Sequence, residues 1–563
     1  MNVWLDELGD RCLADLRSTD PYYDKVRIEQ TRGGLLRDAY RWVLENPEFR
    51  RWCDDEESRL LWIKGDPGKG KTMLLCGIID ELHESIKTAP DTAAGRGKLL
   101  SFFFCQATDN RINSATSVLR GLIYLLVSQQ PALLRHVQER YKIPKKELFE
   151  GVNAWPALSE IFTSILEDPD LESSYLVVDA LDECVIDLDL LLQFIARWSS
   201  TSARVKWIVS SRNRPDVEEQ LQLARQKISL CLELNEDSIT AAVGIYIDSK
   251  IAHIAQLKKY DAKTKDFVRD YLRSNADDTF LWVALACQHL AKVPRWEVQA
   301  KLRAIPPGLY PLYQQMLDQI YVSGEVDCYR RILVVMSTAY RPISLPELTC
   351  YVDELEGLAD DRESLAEIVG LCGSFLTLRE SVVYFVHQSA KDFLLERVFI
   401  PRSLGVDDVH YAMFSASLRV MSSTLRRDIY GLESPGIFID EVEQPEPDPL
   451  ARVRYGCLHW VDHLYDSKVR QNIAQALQDQ GLIDRFLRRD FLHWLEALSL
   501  LRGMARGIYL MARLHGMAEA QVRSYQENHL MKKGIDTYFR SKIFCSELWF
   551  ETHFGLCDSM EGR

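Results

Sequence analysis

Short apolar runs alternate with amphipathic segments along residues 59–235. The runs are rich in Leu, Ile, Val and Phe with few polar interruptions, a pattern typical of strands buried on both faces of a sheet. They are Leu60 to Lys64, Leu99 to Cys105, Tyr175 to Asp179, Val205 to Ser210 and Ile228 to Leu234. Helical patterns lie between them at Thr72 to Ile86, Ser114 to Gln129, Leu188 to Trp198 and Asp216 to Ala224. The alternation predicts an α/β fold, a parallel sheet with helices on both faces.

Helical patterns dominate the rest of the chain. Residues 1–58 are polar and helical, with aromatic anchors at Tyr40, Trp42, Phe49 and Trp52. After the sheet, Asp237 to Leu257 and Asp266 to Leu290 each predict one helix. We therefore expect five parts: a helical lead-in (1–58), an α/β domain (59–235), a helical domain (236–325), a winged-helix-like domain (326–400) and a C-terminal helical region (401–563).

The winged-helix prediction depends on residues 326–400. Three short helical patterns precede two runs that predict a hairpin, Phe375 to Leu378 and Val382 to Val386, and a further helix begins near Ser389. A winged helix packs against other modules or binds DNA. The second use needs a basic recognition helix, whereas Asp353 to Glu367 is rich in Asp and Glu. The pattern therefore favours packing.

Composition narrows the class of protein. The 563 residues are 47% hydrophobic and 27% charged, which fits roughly three to four soluble domains. Lys and Arg number 68 against 82 Asp and Glu, and the net charge of −14 disfavours nucleic acid as a partner. The chain lacks a signal-peptide pattern and an apolar stretch of the roughly 18–20 residues that span a membrane. Its 13 cysteines form no Cys-x-x-Cys pair, so we expect a reduced, cytoplasmic protein.

The strongest chemical signal is a phosphate-binding loop between the first predicted strand and helix. It reads Gly65, Asp66, Pro67, Gly68, Lys69, Gly70, Lys71, Thr72, a full match to the Walker A pattern. Backbone N–H groups and the positive helix end converge there on phosphate. Lys71 is predicted to reach the β and γ phosphates, and the Thr72 hydroxyl to bind Mg²⁺. The loop predicts that residues 59–235 are a P-loop NTPase domain that binds a nucleotide with Mg²⁺. Its residues do not decide between ATP and GTP.

Acidic residues follow the third predicted strand, and an arginine follows the fourth. Asp179 ends its strand as a Walker B carboxylate and is predicted to bind Mg²⁺. Asp182 or Glu183 is predicted to activate an attacking water, or alternatively serves only as a helix-start acid. Ligands of a parallel sheet bind beyond the carboxyl ends of its strands. Arg212 follows such a strand end, so we expect it at the same edge as Lys71 and Asp179. It is a candidate γ-phosphate sensor, with an ordinary surface arginine as the alternative.

These motifs resemble the NACHT domain of the STAND signalling ATPases and GTPases, an NLR-like group. Further segments resemble the fungal NACHT proteins related to heterokaryon-incompatibility factors: Asp20 to Leu36, Ile305 to Tyr313, Val386 to Leu394, Cys457 to His463 and Leu492 to Leu498. The resemblance covers roughly residues 10–505. Residues 506–563 match no segment of that group, and no Trp-Asp or ankyrin signature indicates C-terminal repeats. We therefore expect a short or truncated member without the usual repeat sensor.

The resemblance implies a nucleotide-operated switch. Diphosphate holds the modules closed, and exchange for triphosphate opens the protein for oligomerisation and signalling through partner proteins, in incompatibility cell death or innate immunity. It implies that Pro306 lines the base pocket and that His387 contacts the diphosphate. His387 also fits a hydrogen-bonded core histidine.

The residues leave alternatives for a histidine pair and for the class of function. His459 and His463 lie four residues apart, a spacing that suits zinc, but without a third ligand they fit packing with Trp460 better. Besides a slow NTPase switch, the residues allow a scaffold protein whose nucleotide site is structural. A turnover enzyme such as a kinase or transporter ATPase is a third reading, although the Leu-Ser-Gly-Gly-Gln stretch of transporters is missing.

Overall fold

The computed structural model describes residues 7–525, apart from gaps at 89–97, 151–152, 203, 225–226, 323–325, 360, 373–374, 398–405, 433–436, 438, 440 and 468–469. The chain divides into two compact units, Met1–Gln319 and Ile320–Arg563. Within the described residues, every helix is too short or too polar to cross a membrane.

A five-stranded parallel sheet organises the first unit. Its strands are β1 (Leu60–Lys64), β2 (Leu99–Phe104), β3 (Ser174–Asp179), β4 (Val205–Ser211) and β5 (Lys227–Cys231). The strand order is β2-β3-β4-β1-β5, and all neighbours are parallel. The phosphate-binding loop follows β1, whose neighbour β4 carries the arginine motif, and β3 with the acidic motif lies on the other side of β4. The predicted α/β P-loop NTPase fold is confirmed.

Sixteen α-helices of this unit are described. The lead-in contains α1 (Glu7–Leu16), α2 (Pro21–Arg32), α3 (Arg37–Tyr40), α4 (Trp42–Glu45) and α5 (Pro47–Asp54). The sheet region contains α6 (Lys71–Thr88), α7 (Ala115–Gln129), α8 (Leu134–Tyr141), α9 (Ala154–Glu167), α10 (Leu188–Thr201) and α11 (Pro215–Leu221). The module after β5 contains α12 (Glu236–Lys258), α13 (Ala262–Asn275), α14 (Phe280–Lys292), α15 (Val298–Arg303) and α16 (Leu309–Val322), whose last residues cross the unit boundary.

Two local predictions in this unit are wrong. The single helix expected over Asp266 to Leu290 is two helices, because Asp277 and Asp278 adopt left-handed φ values of 46° and 51° that end the α-helical path. The fifth strand stops at Cys231 rather than Leu234, since a 3-10 turn over Glu233–Asn235 follows it directly.

The lead-in is part of the main hydrophobic core of the first unit. Cys12 and Leu16 are fully buried in the cluster formed by the sheet and α7–α10. Tyr40 lies across α6, where a Cβ on Gly77 would approach the Tyr40 ring to 2.4 Å. The missing side chain at Gly77 thus lets an aromatic ring rest against the helix that begins at Lys71.

The second unit contains a small sheet and ten α-helices within its described residues. The strands β6 (Ile343–Ser344), β7 (Leu376–Arg379) and β8 (Val382–Phe385) form an antiparallel sheet of order β6-β8-β7. The predicted hairpin is therefore present, with β6 as an extra edge strand. The helices are α17 (Val326–Thr338), α18 (Leu345–Leu348), α19 (Arg362–Leu371), α20 (Gln388–Arg397), α21 (Val406–Thr424), α22 (Arg454–Asp466), α23 (Arg470–Leu477), α24 (Leu482–Arg489), α25 (Phe491–Leu500) and α26 (Met504–Tyr525).

Candidate functional site

The phosphate-binding loop connects the end of β1 to the start of α6, as its sequence predicts. Gly68 and Gly70 have φ values of 82° and 84°, in the left-handed region that favours glycine. Lys71 is the first residue of α6, so the positive end of that helix faces the loop. The local geometry is that of an anion-binding site.

Lys71 is held by its own loop. Its Nζ donates to the carbonyl oxygens of Gly65 at 2.5 Å and Asp66 at 3.0 Å. Burial lowers the pKa of Lys71, and the charges of Asp182 and Asp179 partly oppose this shift. The ammonium group therefore interacts with the charges of Asp182 and Asp179 while it is hydrogen-bonded to the loop.

Asp179, at the end of β3, meets residues from two other elements. Its Oδ1 accepts a hydrogen bond from the Ser210 hydroxyl at 2.5 Å, and its carboxylate also hydrogen-bonds the Thr72 side chain. Burial raises the pKa of Asp179, against the lowering effect of these bonds and of Lys71. A carboxylate and a hydroxyl in contact are the oxygen donors that Mg²⁺ prefers. Thr72 and Asp179 thus fit the predicted metal.

The turn after β3 separates the roles of the two following acids. Arg212 donates from Nε to Asp182 Oδ2 and from its backbone N–H to Oδ1, both at 3.0 Å. Glu183 instead accepts the backbone N–H of Ala107 on Oε2 at 3.1 Å. Burial, followed by the charge of Asp182, raises the pKa of Glu183 to about 7. Of the two acids, Glu183 is therefore the one poised to exchange a proton near neutral pH.

The start of α14 covers the phosphate-binding loop, which the motifs did not predict. A Cβ on Gly68 would lie 2.8 Å from Thr279 Cγ2, and one on Gly70 would lie 2.9 Å from the Phe280 ring. Lys69 Nζ donates to the carbonyl of Asp277 at 3.1 Å. The glycines thus also allow the helical module to approach the loop closely. The only sequence signal was the apolar run that begins at Phe280.

A second set of loop contacts comes from the ends of β4 and β5. Glu233 Oε1 accepts the backbone N–H of Asp66 at 2.6 Å, and Asn213 Nδ2 donates to Asp66 Oδ1 at 3.2 Å. Neither residue belongs to a Walker motif. Both follow strands at the carboxyl edge of the sheet, which is the signal that could have identified them.

Pro306 and His387 were expected from the resemblance alone. The carbonyl of Pro306 accepts a hydrogen bond from Trp282 Nε1 at 2.9 Å, within the first unit. His387 belongs to the second unit, where its Nδ1 accepts the backbone N–H of Ser389 at 3.1 Å and lies 2.8 Å from the Ser389 hydroxyl. Their nucleotide contacts remain predictions.

His459 and His463 have protein partners. His463 is fully buried, with Nε2 2.7 Å from the Tyr455 hydroxyl and Nδ1 2.9 Å from Nδ1 of His410. His459 Nδ1 lies 3.3 Å from Asp462 Oδ2. Across the described residues, His, Cys, Asp and Glu side chains form no group of three placed to hold a metal ion. The contacts fit the packing interpretation.

Comparison with known proteins adds independent information. Residues 38–212 match the family described as Nephrocystin 3, N-terminal. The vegetative incompatibility protein HET-E-1 of Podospora anserina is 54% identical over 531 residues, which are 91% of this chain and 38% of that protein. The chain thus spans well under half of this relative's length.

Two solved structures are similar at low scores. A Walker-type ATPase of Pyrococcus abyssi has a TM-score of 0.31 and 11% identity, covering 62% of this chain and 93% of its own. A chain of the Drosophila ORC bound to DNA has a TM-score of 0.28 and 13% identity, covering 73% and 93%. Scores this low support no argument, and the fold assignment depends on the sheet and loop themselves. Sequence identity is the stronger comparison: over 91% of its length the chain is a homologue of a vegetative incompatibility protein, and this similarity agrees with the fungal incompatibility proteins that its motifs resemble.

Proposed function

We propose that the chain is a nucleotide-operated signalling switch of the STAND type. It binds ATP or GTP with Mg²⁺, hydrolyses the triphosphate slowly, and opens and self-associates when diphosphate is exchanged for triphosphate. The observation that supports this most directly is the meeting of Lys71, Thr72, Asp179 and Glu183 at one edge of the sheet. The homologue is a vegetative incompatibility protein, which supports a signalling output.

In this proposal different residues bind the phosphates and the Mg²⁺ ion. Backbone N–H groups of the loop and the Lys71 ammonium group bind the phosphates, and the lysine must exchange its carbonyl partners for phosphate oxygens to do so. Thr72 and Asp179 would hold Mg²⁺, which supplies positive charge against the phosphate oxygens. Ser210 orients Asp179 through their hydrogen bond.

Glu183 is the base in this proposal. Its carboxylate accepts a proton from the attacking water, while the Ala107 amide fixes the orientation of the group. With a pKa of about 7, a large fraction of Glu183 is already protonated at neutral pH and cannot act as a base. Half protonation lowers the rate only about twofold, so Glu183 can still act as the base at neutral pH and makes the rate depend on pH.

The proposal is tested by turnover and mass together. Purified chain should hydrolyse triphosphate far below the ~10 s⁻¹ typical of metabolic enzymes, and its mass in solution should be larger with a non-hydrolysable triphosphate than with diphosphate. Fast hydrolysis by a monomer would refute the switch. Equal mass with both nucleotides would refute exchange-driven self-association and favour a scaffold with a structural nucleotide.

A further inference from the structure

The segment between β5 and α12 runs beside the first residue of the phosphate-binding loop. Leu232 donates its N–H to the carbonyl of Lys64 at 2.9 Å and so continues the β1–β5 pairing beyond the strand. Glu233 comes next, and α12, the first helix of the helical module, begins three residues later at Glu236. The segment Leu232–Asn235 therefore connects the sheet to that module directly alongside the loop.

Glu233 is ionised and bound on both carboxylate oxygens. Oε1 accepts the Asp66 N–H at 2.6 Å, and Oε2 accepts the Cys231 thiol at 3.1 Å. Partial burial acts to raise the pKa of Glu233, but hydrogen bonds from the Asp66 amide, the Cys231 thiol, its own amide and the Asn213 side chain together outweigh it, and the pKa is lowered. A negative charge beside an anion-binding loop repels those anions. We therefore expect Glu233 to contribute to the loop in a way that outweighs this repulsion.

Gly65 allows this approach. A Cβ at Gly65 would lie 3.0 Å from Leu232 Cβ and 3.2 Å from Glu233 Oε1. On the other side, Asn213 donates to the Asp66 carboxylate at 3.2 Å. Asp66 is thus held at two points. Its backbone N–H binds Glu233, which follows β5, and its side chain binds Asn213, which follows β4.

The connecting segment is itself anchored. Asn235 Nδ2 donates to the carbonyl of Cys231 at 2.7 Å, and Asn46 of the lead-in donates from Nδ2 to Asn235 Oδ1 at 2.9 Å. Glu233 therefore reaches the loop from a short segment held at both ends, which makes it a rigid support.

We infer that Glu233 is a positioning residue, which presets the phosphate-binding loop for the nucleotide through the Asp66 amide and links that loop to the start of α12. This inference rests on the proposed nucleotide binding. Because Glu233 acts through the loop, its acceptor oxygen and its reach matter, whereas its charge does not favour binding.

Substitutions at this position separate reach from charge. Glu233→Gln removes the charge but keeps an oxygen acceptor at the same distance from the Asp66 N–H. Glu233→Asp keeps the charge, but its side chain is one methylene shorter and its oxygen lies farther from that N–H. Glu236→Gln, on the exposed first turn of α12, is the matched control for loss of one acidic charge. The measurement is the Kd of the purified full chain for a fluorescent nucleoside diphosphate with Mg²⁺, with the melting temperature recorded for each variant.

We expect Glu233→Asp to raise the Kd roughly tenfold, since one hydrogen bond to a charged group is lost. Glu233→Gln should stay within about twofold of the unchanged chain, like Glu236→Gln. An unchanged Kd in Glu233→Asp, or equal weakening in Glu233→Gln and Glu233→Asp, would overturn the inference.

Two further variants keep the result interpretable. If Glu233→Asp melts at a lower temperature, Asn213→Ala removes the side-chain anchor of Asp66 together with a hydrogen bond to Glu233, and we expect a raised Kd there also. An unchanged Kd in Asn213→Ala would then overturn the inference. Lys71→Ala should abolish binding in the same assay. Retained binding in Lys71→Ala would refute the proposed function itself, which separates that failure from a failure at Glu233.

Discussion

Asp182 and Arg212 are bound to each other at the carboxyl edge of the sheet. The Arg212 Nε lies 3.0 Å from Asp182 Oδ2, and its backbone N–H donates to Oδ1. Only 6% of the Asp182 side chain is exposed. Asp182 and Arg212, predicted as base and as phosphate sensor, are thus paired with each other. In the proposed mechanism Asp182 orients the arginine, and Glu183 is the base.

This pairing predicts non-additive substitutions. We expect Asp182→Asn and Arg212→Gln each to lose most of the hydrolysis rate and the double variant to lose little more, with a coupling free energy of roughly 1–3 kcal/mol. The rates of the four proteins give this value directly. Arg214→Gln, which removes an exposed arginine paired with Asp216, serves as control. Additive losses would contradict a shared role.

Hydrolysis should rise with pH. Because Glu183 has a pKa of about 7 and must be deprotonated to accept a proton, the rate should increase between about pH 6 and 8 and then level off. Glu183→Gln should lower the rate roughly 10²- to 10⁴-fold and remove the dependence. Single-turnover rates across this range provide the test, and a flat profile in the unchanged chain would exclude Glu183 as the base.

The contact of Tyr40 with α6 predicts opposite effects at two helical glycines. Gly77→Ala should lower the free energy of unfolding by roughly 1–3 kcal/mol, because the new methyl group meets the Tyr40 ring. Gly244→Ala, within α12, meets no atom within 4 Å and should raise it by up to about 1 kcal/mol through helix propensity. Urea unfolding measures both. An unchanged free energy of unfolding in Gly77→Ala would show that the Tyr40 ring does not pack tightly against α6.

The buried side chain of His463 predicts acid sensitivity in the second unit. Burial, followed by the charges of His410 and His459, holds the pKa of His463 well below its usual value. The unfolded chain then binds a proton that the folded chain excludes, so the free energy of unfolding should fall as the pH drops below about 6.5.

Denaturant unfolding at pH 7.5 and pH 5.5 tests this. His463→Gln should be less stable at the higher pH, by roughly 1–3 kcal/mol for the partners left unsatisfied, and should lose less on acidification. His253→Gln, at an exposed position of α12, should keep the original pH dependence. The same pH dependence in His463→Gln would mean that other groups carry it.

Much of this architecture could be predicted, because strands buried on both faces leave unbroken apolar runs. The break before Phe280 could not, since it depends on two aspartates adopting left-handed backbone, which residue type alone does not dictate. The Walker residues were evident from their fixed spacing. Glu233 and Ser210 were not, because their roles depend on strand order, which brings segments far apart in sequence to one edge.

The most direct test of the central claim is nucleotide binding by the full chain and by Lys71→Ala, measured by titration calorimetry with Mg²⁺ and each of ATP, ADP, GTP and GDP. The account predicts that the unchanged chain binds at least one diphosphate–triphosphate pair at a single site and that Lys71→Ala binds none measurably. Equal affinity in both proteins would contradict it.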